Sequence, residues 1–541
     1  MPNTFFGLTI SGSGLNAANI AVNTTAHNIS NVNTDGYSRQ QTVQKASSSI
    51  RVYNTFGTAG TGVAVDDIEQ LRSSYYDTKY WNNNATYEYY DTLESYNLLM
   101  EDYLDEFNLS GFTTEYENFF EAINDLRNDP TSVTGRTLFV NYAQSISEYF
   151  NTLSTNLSNV QKSANDEVKS TVNQINSIAE QISSLNLQIN TIEVNGGEAN
   201  DLRDARALLV DELSGYVNTT VREDDIGNNM TEFYVFIDGQ ELVDGYDYNS
   251  LILTARETDE KKNASDVEGL FDISWNTGMD FNEYSSTLTG SLKGAIDIRD
   301  GCDDCYEVVS LVDENGDFLL DADGNPVDVQ DLTEDEYNAY AAAGYTKEVT
   351  VYSSPVRNSD YKGIPYYQSQ LNEFAKNFAK AFNDVIAQAD WGDNEAVPFF
   401  ESQYDDEYIT AINISVNEDI LKDINLLPYS FDSTKGEANT DMANALYELK
   451  TADTIKNGTF LEYLQSMVSV VAIDTSRARS FASNYSNIKD TIDNQRLSVM
   501  GVDEDEEAVD LVKYQNAYNL ASKVISVMQE IYDKLIEETG V

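Results

Sequence analysis

Histidine is almost missing from this sequence: 541 residues contain one, His27. Ser-His-Asp and Cys-His catalysis both need an imidazole beside the nucleophile, so those reactions have almost nothing to work with. Cysteine is nearly as scarce, with only Cys302 and Cys305, which excludes a disulfide-stapled scaffold. Basic residues are few: 33 Lys plus Arg stand against 91 Asp plus Glu, a formal net charge of -58. A surface of that sign repels phosphate backbones and anionic lipid, so neither nucleic acid nor a membrane is expected as a partner. No apolar run reaches the roughly 18 residues of a membrane span. The N-terminal MPNTFFGLTISGSGLNAANI has neither the basic stretch nor the continuous apolar core of a cleavable signal. Any export is therefore expected to read an uncleaved N-terminal segment.

What is present is enough to fold. Hydrophobic residues make up 41% and aromatics 11%, more apolar material than a disordered chain carries. Roughly three or four domains are expected at this length, because single cores stop growing near about 250 to 300 residues.

Both ends carry helical patterns. Met1 to Thr34 holds no Asp, Glu, Lys or Arg, although 23% of the chain is charged. Within it Leu8, Ser11, Leu15, Ala18, Val22, Thr25 and Ile29 recur three and four apart, which predicts an amphipathic helix with a narrow apolar face. Its other face is Asn, Ser, Thr and Ala rather than charge, which suits contact with neighbouring subunits; a weakly helical tail in the isolated chain is the alternative. At the other terminus Leu511, Tyr514, Tyr518, Ala521, Ile525, Met528, Tyr532 and Leu535 form a longer row of the same kind. Asp503 and Glu506 stand like a capping box in an acidic run that suits a helix dipole, so this helix is expected to begin near Glu504. Two such helices are most economically buried against each other, with the rest of the chain inserted between them. Separate helices in separate domains are the alternative.

The interior alternates in character. Asp77 to Leu104, Thr113 to Leu126, Val168 to Ile192 and Leu202 to Tyr216 read as helices, the third stopped by Asn195-Gly196-Gly197. Tyr366 to Ala389 and Asn439 to Arg496 extend the helical set. Between Val217 and Ser291 the period changes, and TEFYVFIDGQELVDG alternates around Asp238-Gly239 as a hairpin does. Asp300 to Thr350 has 15 acidic residues and a single basic one, Lys347, with turn clusters at Asn315-Gly316 and Asp323-Gly324-Asn325. It reads as a small, hairpin-based insertion projecting outward.

Candidate chemistry fails on context. Gly12-Ser13-Gly14 imitates a dinucleotide fingerprint, yet no strand precedes it. Asp321, Asp323 and Asn325 open like a calcium loop, but Leu332 stands where the bidentate Glu belongs. Cys302-Asp303-Asp304-Cys305 lacks a second ligand pair for zinc, and its acidic flanks disfavour a thiolate; a local disulfide or plain loop residues fit better. Paired carboxylates mean nothing in so acidic a chain. No catalytic, cofactor or metal site is expected, and the chain is not expected to be an enzyme.

Ser13 to Gln40, with Asn28, Ile29, Asn31, Asn33, Thr34, Gly36 and Tyr37, resembles the N-terminal signature of the rod and hook axial proteins of the bacterial flagellum. His27 departs from that pattern. A turn after a helix ending near Val32 gives Asp35 and Gly36 a physical reason. Gly501 to Leu535 is similar to the C-terminal helix of the same group. Tyr37-Ser38-Arg39-Gln40, Asn200 to Ser214, Thr289 to Asp297 and Gln370 to Ile386 resemble the hook-associated members, which join hook to filament.

The resemblance implies a mainly α fold with inserted β: N- and C-terminal helices paired in a coiled-coil-like domain, a second helical domain, and a β-rich inserted outer domain. The expected divisions are 1–65 with 500–541 (assembly), 66–216 with 361–499 (helical stalk), 217–299 (β-rich) and 300–360 (acidic insertion). It further implies a structural subunit exported by the type III route with a dedicated chaperone, then self-assembled into a ring or short zone of about eleven copies between hook protein and a neighbouring hook-associated protein. The expected assembly residues are Leu8, Leu15, Ala18, Val22, Ile29, Asn31, Asn33, Gly36 and Tyr37 with Leu511, Tyr514, Tyr518, Ala521, Ile525, Met528, Tyr532 and Leu535. A hook or distal-rod subunit, or a secreted adhesin using the acidic insertion, are the alternatives.

Overall fold

The computed structural model describes residues 6–52, 57–109, 112–257, 261–303, 305–313, 318–320, 327, 329, 332, 334–353, 359–392, 396–404, 408–436, 439–456 and 458–539. Among them the order is α1 (Phe6–Ser30), β1 (Gln40–Ala46), β2 (Ile50–Val52), β3 (Gly57–Ala59), β4 (Val63–Gln70), α2 (Ser74–Leu109), α3 (Phe112–Asn128), α4 (Val133–Glu193) and α5 (Asn200–Tyr216). There follow β5 (Thr219–Gly227), β6 (Met230–Ile237), β7 (Gln240–Asp244), β8 (Asp247–Tyr248), β9 (Leu251–Ala255), β10 (Phe271–Trp275), α6 (Ser291–Asp300), β11 (Cys305–Val312), α7 (Glu334–Ala342) and β12 (Thr346–Ser353). The chain closes with α8 (Ile364–Ala387), β13 (Phe400–Ser402), β14 (Ile414–Val416), α9 (Glu418–Lys422), α10 (Asp441–Glu448), α11 (Phe460–Met500) and α12 (Glu504–Thr539). The fold is mainly α with small antiparallel sheets: β5-β6-β7-β8 is four-stranded and the other five described sheets are pairs.

The chain divides into two compact units: Met1–Tyr87 with Gln174–Ser250 and Asn484–Val541, and Glu88–Asn173 with Leu251–Ser483. The first gathers both termini, α5 and β5 to β8. Its hairpin turns at Asp238 and Gly239, both at positive φ (46° and 82°), the two-residue turn whose twist suits paired strands. The sheet is tied to α4: Asn186 Nδ2 donates to the Gly245 carbonyl (2.7 Å) and Asn190 Nδ2 to the Thr231 carbonyl (2.7 Å). These bonds hold 219–248 with the terminal unit, while β9 and β10 belong to the second. The stretch 217–299, one domain by sequence, is therefore shared between the two units.

The second unit is built on phenylalanine. α3, α8 and the neighbouring part of α4 place apolar residues every three or four positions, so Phe119, Phe139, Phe150, Phe374, Phe378 and Phe382 all turn inward and are fully buried. Phe378 has its ring centroid 4.8 Å from Phe382, 5.1 Å from Phe460 and 5.5 Å from Phe400. Pro365 occupies the first turn of α8, where its missing N–H costs nothing.

The expected helix over 439–496 is interrupted. α10 stops at Glu448 and α11 begins at Phe460, because Thr459 and Glu462 form a capping box: the Glu462 N–H donates to Thr459 Oγ1 (3.3 Å) and the Thr459 N–H to Glu462 Oε2 (3.0 Å). The acidic segment leaves and returns through a narrow neck. The Gly363 N–H donates to the Gly301 carbonyl (3.0 Å), and a Cβ at Gly301 would lie 2.5 Å from the Tyr361 oxygen, so only glycine fits. β11 and β12 then pair from Cys305↔Ser353 to Val312↔Thr346. The turn clusters at 315–316 and 323–325, the calcium-loop look-alike and the Cys305 side chain lie outside the described residues; Cys302 is buried.

A buried charge network fastens α6 to the β9-β10 ribbon. Arg299 donates to Asp300 (Nε, 2.9 Å) and to the Phe271 carbonyl (2.7 Å), and Arg256 grips both Asp300 oxygens (3.2 and 3.0 Å). Burial alone would raise the Asp300 carboxyl, but the Arg256 and Arg299 charges override it and hold the group well below the usual range. Removing that charge leaves two buried guanidinium groups with one carboxylate each, Asp272 for Arg256 (2.9 Å) and Glu283 for Arg299 (3.3 Å), so Asp300→Asn is expected to destabilise the protein by roughly 3 kcal/mol at neutral pH. Because the folded-state value is depressed, this stabilisation is complete above the unfolded carboxylate range, about pH 4, and the gap closes only as pH falls below it. Denaturant titrations of both proteins at pH 7 and pH 3 measure it.

Candidate functional site

The first unit brings the two terminal helices together, antiparallel. Near the start of α1, a Cβ on Gly7 would lie 2.6 Å from Met528 Cε; at its end, Asn28 Nδ2 donates to Glu507 Oε2 (3.1 Å). The two contacts enclose equal lengths of each helix, so α1 and α12 run side by side without slipping. Ala17, Ala18, Ala21, Thr24, Thr25 and Asn28 are the buried residues of α1. Small side chains at those positions let α12 and the β1-β4 ribbon approach closely. The deepest line thus lies one position from the expected row: Ala18 and Thr25 are shared with it, while Leu8, Leu15, Val22 and Ile29 flank it half-buried. A row of uncharged residues, Thr9, Asn16, Asn19, Asn23, Ala26 and Ser30, faces solvent.

On α12, Leu511, Tyr514, Ala521, Ile525, Met528 and Tyr532 are half-buried, whereas Tyr518 and Leu535 are exposed. A second apolar row runs down another face: Val509, Val512, Leu520, Val524, Val527 and Ile531, between 45% and 67% exposed. Sequence reading missed this row. The signal was there in the same three-four spacing, but a helix with one apolar stripe hides a second when the two interleave.

The lock at the base of the pair is polar. Asn28 is buried, and its carboxamide makes four hydrogen bonds: Oδ1 accepts from Tyr37 Oη (2.8 Å) and the Gln40 N–H (3.0 Å), while Nδ2 donates to the Gln40 carbonyl (2.9 Å) and to Glu507. Glu507, also buried, receives Arg39 Nε at 2.7 Å, and Arg39 Nη1 reaches Glu506 Oε2 at 3.0 Å. Asp503 caps α12 by accepting from the Asp505 and Glu506 N–H groups (2.9 and 3.2 Å). Glu506, expected to complete a capping box, serves Arg39 instead. The acidic first turn is stabilised both by the helix dipole and by the first basic residue of the chain. Burial, then the nearby Asp201, Asp204 and Glu507 charges, push the Tyr37 phenol above its ordinary value, so it stays a donor to Asn28.

The remaining signature residues shape the turn. Asn31 Nδ2 donates to the His27 carbonyl (3.0 Å), Asn33 is exposed, and Gly36 takes φ +75°. His27 Nε2 lies 3.2 Å from Asp201 Oδ1, which also receives Gln40 Nε2 (2.9 Å). The loop before β4 meets α1 at Gly62 (φ +112°), where a Cβ would fall 2.1 Å from Ser13 Oγ; that hydroxyl accepts the Val63 N–H (3.2 Å). Among the described residues no His, Cys, Asp and Glu cluster could hold a metal, and no helix is long and apolar enough to cross a membrane.

The comparisons with known proteins fall on these elements. Residues 8–37 match the family described as flagella basal body rod protein, and 493–538 the flagellar basal body rod FlgEFG protein C-terminal family. These two matches fall on α1 with its following turn and on α12, the helices that pair. Residues 99–314 match the flagellar hook-associated protein FlgK helical domain. The three matches together fall on both ends and the interior of the chain. Flagellar hook-associated protein 1 of Bacillus subtilis (strain 168) is 27% identical over 100% of this chain and 99% of its own length. The protein of that name from Escherichia coli (strain K12) is 26% identical over 97% and 98%. A solved structure, that of the flagellar hook junction protein FlgK from Burkholderia pseudomallei, covers 78% of this chain and 100% of its own at TM-score 0.48 and 14% identity.

Asn28→Ala would strip partners from Glu507, Tyr37 and Gln40 at once, each buried loss costing about 1 to 3 kcal/mol. Amide exchange at Gln40 is expected to accelerate at least about tenfold in this variant; unchanged protection there would mean the carboxamide does not hold the turn.

Proposed function

We propose that the chain is a structural subunit of the bacterial flagellum, at the junction of hook and filament, whose paired terminal helices pack against those of neighbouring subunits. The observation that carries this reading is the second apolar row of α12. Six aliphatic side chains in one line along a solvent face are an unfinished interface. A subunit built to polymerise leaves such a row open, and the uncharged outer face of α1 supplies a surface without like-charge repulsion. Most of the protein's net charge of -58 lies outside α1 and α12 and keeps unassembled copies apart. The 300–360 segment, entered through the Gly301 and Gly363 neck, is a projecting insertion. Export by the type III route with a dedicated chaperone, a ring or short zone of about eleven copies, and contact with hook protein and a second hook-associated protein complete the proposal. None of these roles calls for a catalytic group or a cofactor.

Val512→Asp, Leu520→Asp and Val527→Asp together are expected to leave the isolated subunit within about 0.5 kcal/mol per site of normal stability, since all three are exposed, and to abolish swimming. Normal swimming would remove the interface. A strain lacking the chain is expected to build complete hooks and shed filament subunits into the medium, whereas truncated hooks would make this a hook or rod subunit.

A further inference from the structure

A cavity of about 650 Å³ opens within the second unit, between α4, α8, the 264–268 loop and the segment around β13 and β14. Its volume lies within the roughly 300 to 1,000 Å³ of small-molecule sites. Three of its lining side chains have buried polar atoms with no hydrogen-bond partner: Gln368 Oε1, Thr410 Oγ1 and Ser265 Oγ. Gln368 is 4% exposed, and its amide nitrogen is already given to Ser154 Oγ (2.8 Å) and Ser158 Oγ (3.3 Å), so the carbonyl is held in place and lacks a donor. Thr410 is 8% exposed, and its backbone N–H is satisfied by Asn413 Oδ1 (2.7 Å), which fixes the residue and leaves its hydroxyl over. Each buried group left unmade costs about 1 to 3 kcal/mol, so the arrangement asks for a ligand.

The chemistry it asks for is specific. One amide acceptor and two hydroxyls, each able to give and take, match the adjacent hydroxyls of a sugar. At the mouth Tyr404 and Ile412, 63% and 48% exposed, offer apolar surface to the C–H face of a pyranose ring. The lining charges balance: Lys162 and Lys261 stand against Asp266 and Glu268, and Asp266 is committed to Gln161 Nε2 (2.8 Å) and the Asn263 N–H (2.9 Å). A phosphate or carboxylate ligand would find no net attraction there. We propose that this cavity binds a neutral saccharide of one or two rings.

Calorimetry and saturation-transfer NMR on the full-length protein, with maltose, cellobiose, lactose and N,N′-diacetylchitobiose as probes and glucose 1-phosphate as the charged control, test the assignment. At least one neutral disaccharide is expected to bind saturably, with affinity reduced about tenfold or more by Gln368→Met and by Tyr404→Ala. Tyr404→Ala changes a surface side chain, so it remains informative if Gln368→Met misfolds. Absence of saturable binding by all four disaccharides, preference for the phosphorylated sugar, or binding unaffected by Tyr404→Ala would each overturn the proposal.

Discussion

The hydrogen-bonded and ion-paired contact between the end of α1 and the start of α12, through Asn28, Arg39 and Glu507, is the constraint on which the terminal unit depends. It fixes direction and register: once Asn28 meets Glu507, an antiparallel pair must bring Gly7 to Met528. It also fixes the turn, because the same carboxamide holds Gln40 and Tyr37 and so aims the chain into β1. Apolar burial along α1 is modest, with alanine and threonine in place of the Leu or Ile that contribute about 1.5 to 3 kcal/mol each. A buried polar lock supplies the specificity that so thin an apolar contact lacks.

Two faces of the helix pair are left over, and the proposed function rests on them. α1 turns amides and small hydroxyls outward, and α12 turns out an aliphatic row. Neither bears a line of charge, in a chain where acidic residues outnumber basic ones by 91 to 33. On the proposed reading these neutral faces meet neighbouring subunits, while the rest of the protein carries the repulsion that keeps free copies apart. The second unit solves a different problem. Its interlocked phenylalanines and the Arg299, Asp300 and Arg256 network make a core buried within the unit itself.

Much of this was legible in the residues. The three-four spacing located α1, α12 and α8, the Asp238-Gly239 pair located its hairpin, and Gly36 marked its turn, because these signals act over a few neighbouring positions. The Thr459 and Glu462 box is equally local and was overlooked within a long helical pattern. Other features depend on partners far apart in the chain. Asn28 stood out as a signature residue, but its role appeared only when Glu507, 479 positions away, was brought to it. Asp300 was read as the first residue of the acidic insertion, and only the fold shows it fully buried with Arg299 against Arg256. The split of 217–299 between two units follows from Asn186 and Asn190 on α4, which no strand pattern announces.

The central claim is that the two ends of one chain pair side by side, in this direction, in the assembled flagellum. Disulfide trapping tests it most directly, in a background carrying Cys302→Ser and Cys305→Ser. Gly7→Cys with Met528→Cys is expected to cross-link within single chains of purified flagella, and Asn31→Cys with Met528→Cys to remain unlinked. Cross-linking of the second pair, or of neither, would contradict the pairing.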